Sequence, residues 1–213
     1  MPMPFEAALA ALTPVLSRVE RAYCWLRNPG SLPTFSDSPL NDAKLRNHFR
    51  GVVAVGAAPI RSGESTTRIA LLDMDSHKGQ TDWRGMCDAA RRVMDAAADG
   101  LLGDTGLRFI PFRSSGGKGM HLYVLFEQPM DAYTVRAALA DVLADAGFRP
   151  GTGGVAAGEV EVFPRQSEVL PGKRGNMFVL PMAFASVPLD PRTLADIDLC
   201  DVQWLVSEPL AQR

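Results

Sequence analysis

The sequence contains few cysteines. Its three, Cys24, Cys87 and Cys200, lie far apart and form no Cys-x-x-Cys pair. Structural zinc sites and disulfide frameworks both need cysteines grouped at short, regular spacings. We therefore expect neither a zinc site nor a disulfide-stabilised fold. Isolated cysteines are typical of a reducing compartment, so the sequence predicts a cytoplasmic location.

Long apolar runs and a strong charge of either sign are also missing. No apolar run reaches the roughly 18 residues that span a membrane, and the first residues lack the charged-then-apolar pattern of a secretory signal. We therefore expect no membrane association. The formal net charge is only −2, so nucleic-acid binding would have to depend on a local basic surface. Such a surface is available in the segment from Arg113 to His121, which contains Lys118 and no acid.

The composition is that of an ordinary globular protein. With 213 residues, of which 46% are hydrophobic, the chain can bury a full core as one domain or as two joined lobes. Apolar residues recur at helical spacing from Phe5 to Leu26, with a helix start at Thr13-Pro14 as the alternative. Asp82 and Asp131 each begin a further amphipathic helix, because aspartate caps helix N-termini.

Short apolar runs, several of them alternating with polar residues, predict the strands. They cover residues 51–56, 68–75, 108–113, 121–126, 159–163 and 176–180. A turn at 62–65 separates the first two, which we expect to pair as a hairpin. The strands that carry Asp73, His121 and Glu161 each present one polar face and one apolar face. The predicted fold class is α+β, with a mostly antiparallel sheet backed by helices.

The first motif is a pair of acids at the end of a hydrophobic run. Asp73 and Asp75 are one residue apart, so on a strand both leave the same face with Cα atoms about 7 Å apart. Carboxylates in this arrangement can hold two divalent ions about 3.5–4 Å apart, as phosphoryl-transfer sites do. A third carboxylate usually completes such a site. Glu161 is our choice and Glu159 the alternative, because the two share a face.

The second motif is a glycine-rich turn that leads into the strand beginning at His121. Such a turn leaves backbone N–H groups free to face an anion, and Lys118 and His121 add charge and hydrogen-bond donors. The pairing of a metal site with an anion-binding turn indicates nucleotidyl transfer. The residues that we expect to bind the nucleotide are Ser114, Ser115, Gly117, Lys118, His121 and Arg165.

Further side chains are candidates for contacts with phosphate or nucleic acid. Arg113 precedes the glycine turn, and Lys173 and Arg174 follow the third acid. The alternative for the last two is a solvated cationic loop. Tyr123 shares the face of His121, so it is a candidate for stacking on a base or sugar, although a tyrosine in the core is the commoner case.

Four segments, in this order, resemble the catalytic motifs of the archaeo-eukaryotic primase superfamily. They are Asp73–Asp75, Ser115–His121, Glu161–Gln166 and Gly175–Pro181. The glycine-histidine segment is similar to that of the polymerase domain of bacterial end-joining ligases. The last two segments more closely resemble the primase-polymerases of TOTE conflict systems and CRISPR-associated operons. The resemblance covers residues 40–185, most of the chain.

The resemblance implies roles for these residues. Those that match Asp73, Asp75 and the third acid hold two Mg²⁺ or Mn²⁺ ions in the family. The histidine that matches His121 contacts the triphosphate of the incoming nucleotide, assisted by the serine and lysine of the turn. Many relatives carry a zinc module, for which this chain has no ligand cluster.

The same resemblance implies a function and an organisation. The function is template-directed nucleotidyl transfer from nucleoside triphosphates on a single-stranded or primed DNA template, with a helicase or another replication protein as partner. We expect one primase-polymerase catalytic domain over residues 1–213. It would divide near residue 107 into an N-terminal lobe with the Asp-x-Asp strand and an RRM-like lobe with the other motifs.

Two other functions fit some of these residues. A metal-dependent nuclease or nickase would use the same acids, but a histidine-based nickase pairs two histidines on one strand and His121 has no such partner. A catalytically silent replication or defence module would bind nucleic acid without reaction. The intact acids and glycine turn argue against that function.

Overall fold

The computed structural model describes residues 4–28, 31–99 and 105–210. Its helices are α1 (Phe5–Leu16), α2 (Asp42–Phe49), α3 (Trp83–Asp99) and α4 (Ala132–Asp145). Its strands are β1 (Cys24–Arg27), β2 (Thr34–Ser36), β3 (Ala54–Ala57), β4 (Thr66–Met74), β5 (Phe109–Arg113), β6 (Met120–Asp131), β7 (Arg149–Pro150), β8 (Glu159–Phe163), β9 (Phe178–Val179) and β10 (Val206–Ser207).

The strands form two sheets. The larger has six strands in the order β10-β6-β4-β8-β7, with β5 also paired to β6. The smaller has four strands in the order β2-β1-β3-β9. All pairings are antiparallel except β10 with β6 and β7 with β8. The prediction of an α+β fold with a mostly antiparallel sheet backed by helices is confirmed.

The larger sheet is buried on both faces. Leu72 and Met74 of β4 pack in a core with α3 and α4, whereas Ile69 and Leu71 pack with α1 and the smaller sheet. The face that we predicted to be polar is therefore apolar over most of its length. Only at the end of β4 does it become polar, at Asp73. This double burial explains the continuous hydrophobic run of β4.

The division near residue 107 does not coincide with the division between sheets. β4 lies before this position and pairs with β6 and β8, which lie after it. The Asp-x-Asp strand and the strands of the other two motifs therefore belong to one sheet. That all three motifs work within a single catalytic domain remains our proposal.

The predicted hairpin between residues 51–56 and 68–75 is wrong. β3 pairs with β1 and β9 in the smaller sheet. An isolated bridge joins Ile60, three residues after β3, to Thr67 of β4. Both strands are apolar, and local pattern does not reveal which partner an apolar strand takes. Here each strand finds its partners far along the chain.

The N-terminal helix is shorter than predicted. α1 ends at Leu16 and includes Pro14 in its last turn, so the predicted start at Thr13-Pro14 is also wrong. The apolar periodicity continues past the helix because Tyr23, the residue before β1, and Leu26 of β1 also pack in the core.

Both predicted aspartate caps are present. Asp82 accepts a hydrogen bond from the Gly85 amide at 2.8 Å, and Asp131 accepts one from the Thr134 amide at 2.8 Å. These caps satisfy backbone donors that the first turn of a helix leaves free. Among the described helices, none has both the length and the apolar character needed to cross a membrane.

A buried histidine joins α2 to the smaller sheet. His48 is fully buried; its Nδ1 accepts from the Val55 amide at 3.0 Å and its Nε2 donates to the Pro181 carbonyl at 2.8 Å. The bond that Nδ1 accepts needs the neutral ring, and burial lowers the pKa of His48 from 6.5 to about 4. Protonation would therefore break the bond to Val55 and leave a buried charge.

We predict that acid weakens the fold through His48. The unfolded chain binds a proton here below pH 6.5, whereas the folded chain does so only near pH 4. The free energy of unfolding should therefore fall as pH drops through this range, by at most about 1.4 kcal/mol per pH unit from this group. Urea unfolding of the wild type and of His48→Gln, which does not titrate, measures the difference. Equal pH slopes would contradict the prediction.

Candidate active site

Strand register brings three sequence motifs together. β4 lies between β6 and β8, and Asp73 is directly opposite His121 on one side and Glu161 on the other. Side chains that are directly opposite across an antiparallel pair lie about 5 Å apart at Cβ. Asp75 follows one residue after the end of β4 and shares the face of Asp73. Motifs that are distant in sequence thus form one cluster.

Three carboxylates form what we call the acid triad. Oxygens of Asp73, Asp75 and Glu161 all lie within 4.8 Å of one another. Burial, and secondarily the charge of Asp73, raises the pKa of Asp75. Carboxylate oxygens this close repel one another and are the ligands that Mg²⁺ and related cations prefer.

One oxygen of the acid triad has no hydrogen bond. Asp73 Oδ1 is buried, and no described group donates to it. His121 Nε2 is 3.3 Å away, a contact that forms an ion pair only when the imidazole is protonated. A buried oxygen without a donor is costly. A divalent cation would satisfy it, so the residues of the triad fit a metal ion.

Glu159 and Glu161 have different environments. Glu159 accepts from the Gly153 amide at 2.7 Å and pairs with Arg149 at 2.5 Å. These hydrogen bonds lower its pKa. Glu161 belongs to the triad and pairs with Arg165. Of the two glutamates, Glu161 is therefore the one that lies in the carboxylate cluster. That it is the third metal ligand remains our prediction.

Beside the triad is a cavity of about 310 Å³, which we call the glycine-turn cleft. Asp73 and Asp75 line it together with His121 and with the turn residues Ser114, Ser115, Gly116, Lys118 and Gly119. Among described groups, none accepts from the amides of Gly116 and Lys118, which are free to bind an anion. Lys118 is exposed, so its ammonium is free to move toward a ligand.

The turn is held close to the acids by its small residues. Ser114 closes it, since its hydroxyl accepts from the Gly119 amide at 3.0 Å and its own amide donates to the Gly119 carbonyl. A Cβ at Gly119 would lie 2.5 Å from the Met74 carbonyl oxygen. Gly117 has a φ of 75°, which favours glycine. Ser114 and Gly117 therefore shape the cleft.

Arg27 is a cleft residue that the sequence analysis missed. It comes from β1 of the smaller sheet, and its guanidinium donates to the Ser115 hydroxyl at 3.2 Å. It lines the glycine-turn cleft together with Lys118 and His121. No local pattern marks this arginine, because it reaches the cleft only through the packing of the two sheets.

Tyr123 is not available to nucleic acid. It is 0% exposed, and its hydroxyl donates to the Val179 carbonyl at 3.0 Å. Burial raises its pKa well above 10.0. The commoner case, a tyrosine in the core, is confirmed, and the candidate contact with a base or sugar is wrong, because β6 is covered on this face by the smaller sheet. Its hydroxyl instead lies 3.3 Å from His121 Nδ1 and orients that ring.

The predicted cationic contacts lie outside the glycine-turn cleft. Arg113 packs over the Trp83 ring at 3.8 Å and pairs with Asp196 at 2.5 Å. Arg165 lies beyond Glu161, in the wall of a second cavity. Arg174 pairs with Asp37 and lies over the exposed Phe35 ring, and Lys173 is exposed.

The chain was compared with models of known protein families. A family model described as "TOTE conflict system, Archaeo-Eukaryotic Primase domain" matches residues 29–192. The chain belongs to this family. The resemblance to archaeo-eukaryotic primases that the four sequence segments indicated is therefore confirmed. A search of curated protein sequences finds no match.

A comparison with solved structures finds a polymerase domain and a primase-polymerase domain among its matches. The polymerase domain of Mycobacterium tuberculosis ligase D, in complex with DNA, is 17% identical with a TM-score of 0.56, covering 92% of this chain and 79% of that one. The cyanophage S-2L primase-polymerase domain is 14% identical with a TM-score of 0.45, covering 91% of this chain and 97% of that one. The ligase D comparison supports the fold described above.

We predict that Mn²⁺ stabilises the folded chain through Glu161. At a concentration about 100 times its Kd, a bound ion contributes about 2.7 kcal/mol, which raises the Tm of a chain of this size by about 5–10 °C. Glu161→Gln should lose most of this rise, because it removes a charge from the triad. Glu159→Gln is the matched control and should keep it. Thermal unfolding with and without Mn²⁺ measures both effects. A larger loss for Glu159→Gln than for Glu161→Gln would mean that Glu159, two residues earlier on β8, is the third metal ligand.

Proposed function

We propose that this chain is the catalytic domain of a primase-polymerase. It would join nucleotides from nucleoside triphosphates to a primer 3′-hydroxyl on a DNA template. The main support for the proposal is that a site suited to cations lies directly beside a site suited to an anion. The acid triad prefers cations, and the adjoining glycine-turn cleft offers free amides, Arg27, Lys118 and His121 to an anion.

The acid triad would hold two Mg²⁺ or Mn²⁺ ions. When bound, such ions supply activation of the attacking hydroxyl and neutralisation of the pyrophosphate charge. The chain's own part is to fix three carboxylates where the end of β4 pairs with the middle of β8. Because β-strand pairing holds these backbones, the ligands are positioned before substrate arrives.

The glycine-turn cleft would bind the triphosphate. The amides of Gly116 and Lys118 can donate to phosphate oxygens, and the Lys118 ammonium can add a charge-assisted bond. Arg27 and His121 bring positive charge or donors from the two sides of the cleft. Together these groups would place the α-phosphate beside the acid triad.

The nucleic-acid partner in this proposal is single-stranded or primed DNA. The exposed Phe35 ring with Arg174 above it combines an aromatic surface with a cation, and Lys173 is its exposed neighbour. Aromatic rings beside cations bind single strands by stacking and charge. We assign this surface to the template, and a helicase or another replication protein is the proposed recruiting partner.

The first test of this function is primer extension. Wild-type protein incubated with primer-template, Mn²⁺ and labelled nucleotides should lengthen the primer. Asp73→Ala should reduce the rate about a thousandfold or more, since metal-dependent stabilisation of the transition state is worth several kcal/mol. Glu159→Gln is the control with an acid removed outside the triad. Shortened strands in place of longer ones would indicate a nuclease, and near wild-type extension by Asp73→Ala would refute the metal assignment.

The second test separates the triphosphate from the template. Losing one charge-assisted contact costs about 1.5–3 kcal/mol, or about ten- to a hundredfold. His121→Ala and Lys118→Met should therefore raise the nucleotide KM or lower kcat/KM by such factors. Their affinity for primer-template without nucleotide, measured by fluorescence anisotropy, should stay near the wild-type value. A large loss of template affinity with an unchanged nucleotide KM would make the glycine turn a template clamp instead.

A further inference from the structure

A second cavity adjoins the acid triad from the other side. It has a volume of about 450 Å³ and lies between α4 and the segment that follows β7, with Glu161 and Arg165 in its wall. We call it the α4 groove. The glycine-turn cleft is lined by Asp73 and Asp75, whereas the α4 groove is lined by the third acid of the triad. The triad is therefore the common border of two cavities.

The strand order places the two cavities on opposite sides of Asp73. The glycine turn leads into β6, which pairs with one edge of β4, and Glu161 is on β8, which pairs with the other edge. A ligand in the glycine-turn cleft and a ligand in the α4 groove would thus approach the triad from opposite directions.

The lining of the α4 groove suits a nucleic-acid strand. Arg136 supplies a cation, and Glu161, the only acid among the described residues that line the groove, is already paired with Arg165. The ring of Tyr133 is 64% exposed at the start of α4. Small residues such as Ala137 and Gly151 leave room beside it. An exposed aromatic ring in the same groove as a cation is an arrangement on which single strands stack and pair their phosphates.

We propose that the α4 groove holds the 3′ end of the primer strand; this inference rests on the proposed polymerase function. In phosphoryl transfer the attacking oxygen and the leaving oxygen lie roughly in line on opposite sides of the phosphorus. With pyrophosphate leaving into the glycine-turn cleft, the attacking 3′-hydroxyl must enter from the opposite side. The α4 groove opens there, with Tyr133 stacking on a primer base and Arg136 contacting a primer phosphate.

Two pairs of variants test these contacts. Tyr133→Ala should raise the KM for primer-template about five- to a hundredfold, since one base–aromatic stack is lost, and Tyr133→Phe should stay near wild type. Arg136→Gln should raise the same KM and reduce the salt dependence of primer binding by about one phosphate contact. Ser167→Ala removes the 3.1 Å hydrogen bond that Arg136 donates but keeps the charge, so it should stay near wild type. The nucleotide KM and the Mn²⁺-dependent rise in Tm should stay unchanged in all four.

Strand-specific crosslinking identifies the occupant. A photoreactive p-benzoylphenylalanine at position 133 should capture end-labelled primer from a primer-template complex and little end-labelled template. Capture of template alone, or an unchanged primer-template KM for both Tyr133→Ala and Arg136→Gln in an active enzyme, would overturn the inference. Absence of extension by the wild type would instead refute the polymerase function itself, whichever strand is captured.

Discussion

The register of β4 between β6 and β8 is the constraint on which the candidate site depends. A shift of one residue would turn Asp73 into the core beneath α3 and α4 and bring Leu72 to the glycine-turn cleft. That shift is costly, because the larger sheet buries apolar side chains on both faces and an unpaired buried carboxylate is strongly disfavoured. The two hydrophobic cores therefore determine which side chains meet at the end of the sheet. Packing far from the acids fixes the geometry of the acids.

The price of this arrangement is uncompensated negative charge. Three carboxylates converge, Asp73 Oδ1 has no donor among the described groups, and the pKa of Asp75 is raised. Arg165 balances Glu161, and His121 lies beside Asp73. Such a cluster lowers the stability of the metal-free fold, and a bound cation would relieve the repulsion. Destabilised clusters held by a rigid scaffold are typical of functional sites.

Much of the site could be predicted from the sequence, because its information is local. Alternation along a strand placed Asp73 and Asp75 on one face, and spacing placed the glycine turn before His121. The features that depend on contacts between distant segments could not be predicted in this way. Arg27 reaches Ser115 only because the two sheets pack together, and Tyr123 is buried because that packing covers β6. The wrong hairpin has the same origin, since an apolar strand pattern does not encode its partner. The prediction of the two aspartate caps was correct because a capping residue is adjacent in sequence to the helix that it caps.

The three acids of the triad come from two paired strands, β4 with the residue that follows it and β8. If all three followed one strand, alternation would space them along a line, about 7 Å from one to the next. Taking Glu161 from β8 instead closes the triad across the sheet and gives each flanking cavity its own acid. In the proposed polymerase, the triphosphate side and the primer side would then be built from different segments of the chain. Changes around α4 would alter how the primer is held without disturbing the glycine turn, so affinity for the nucleotide and affinity for the strand could vary independently.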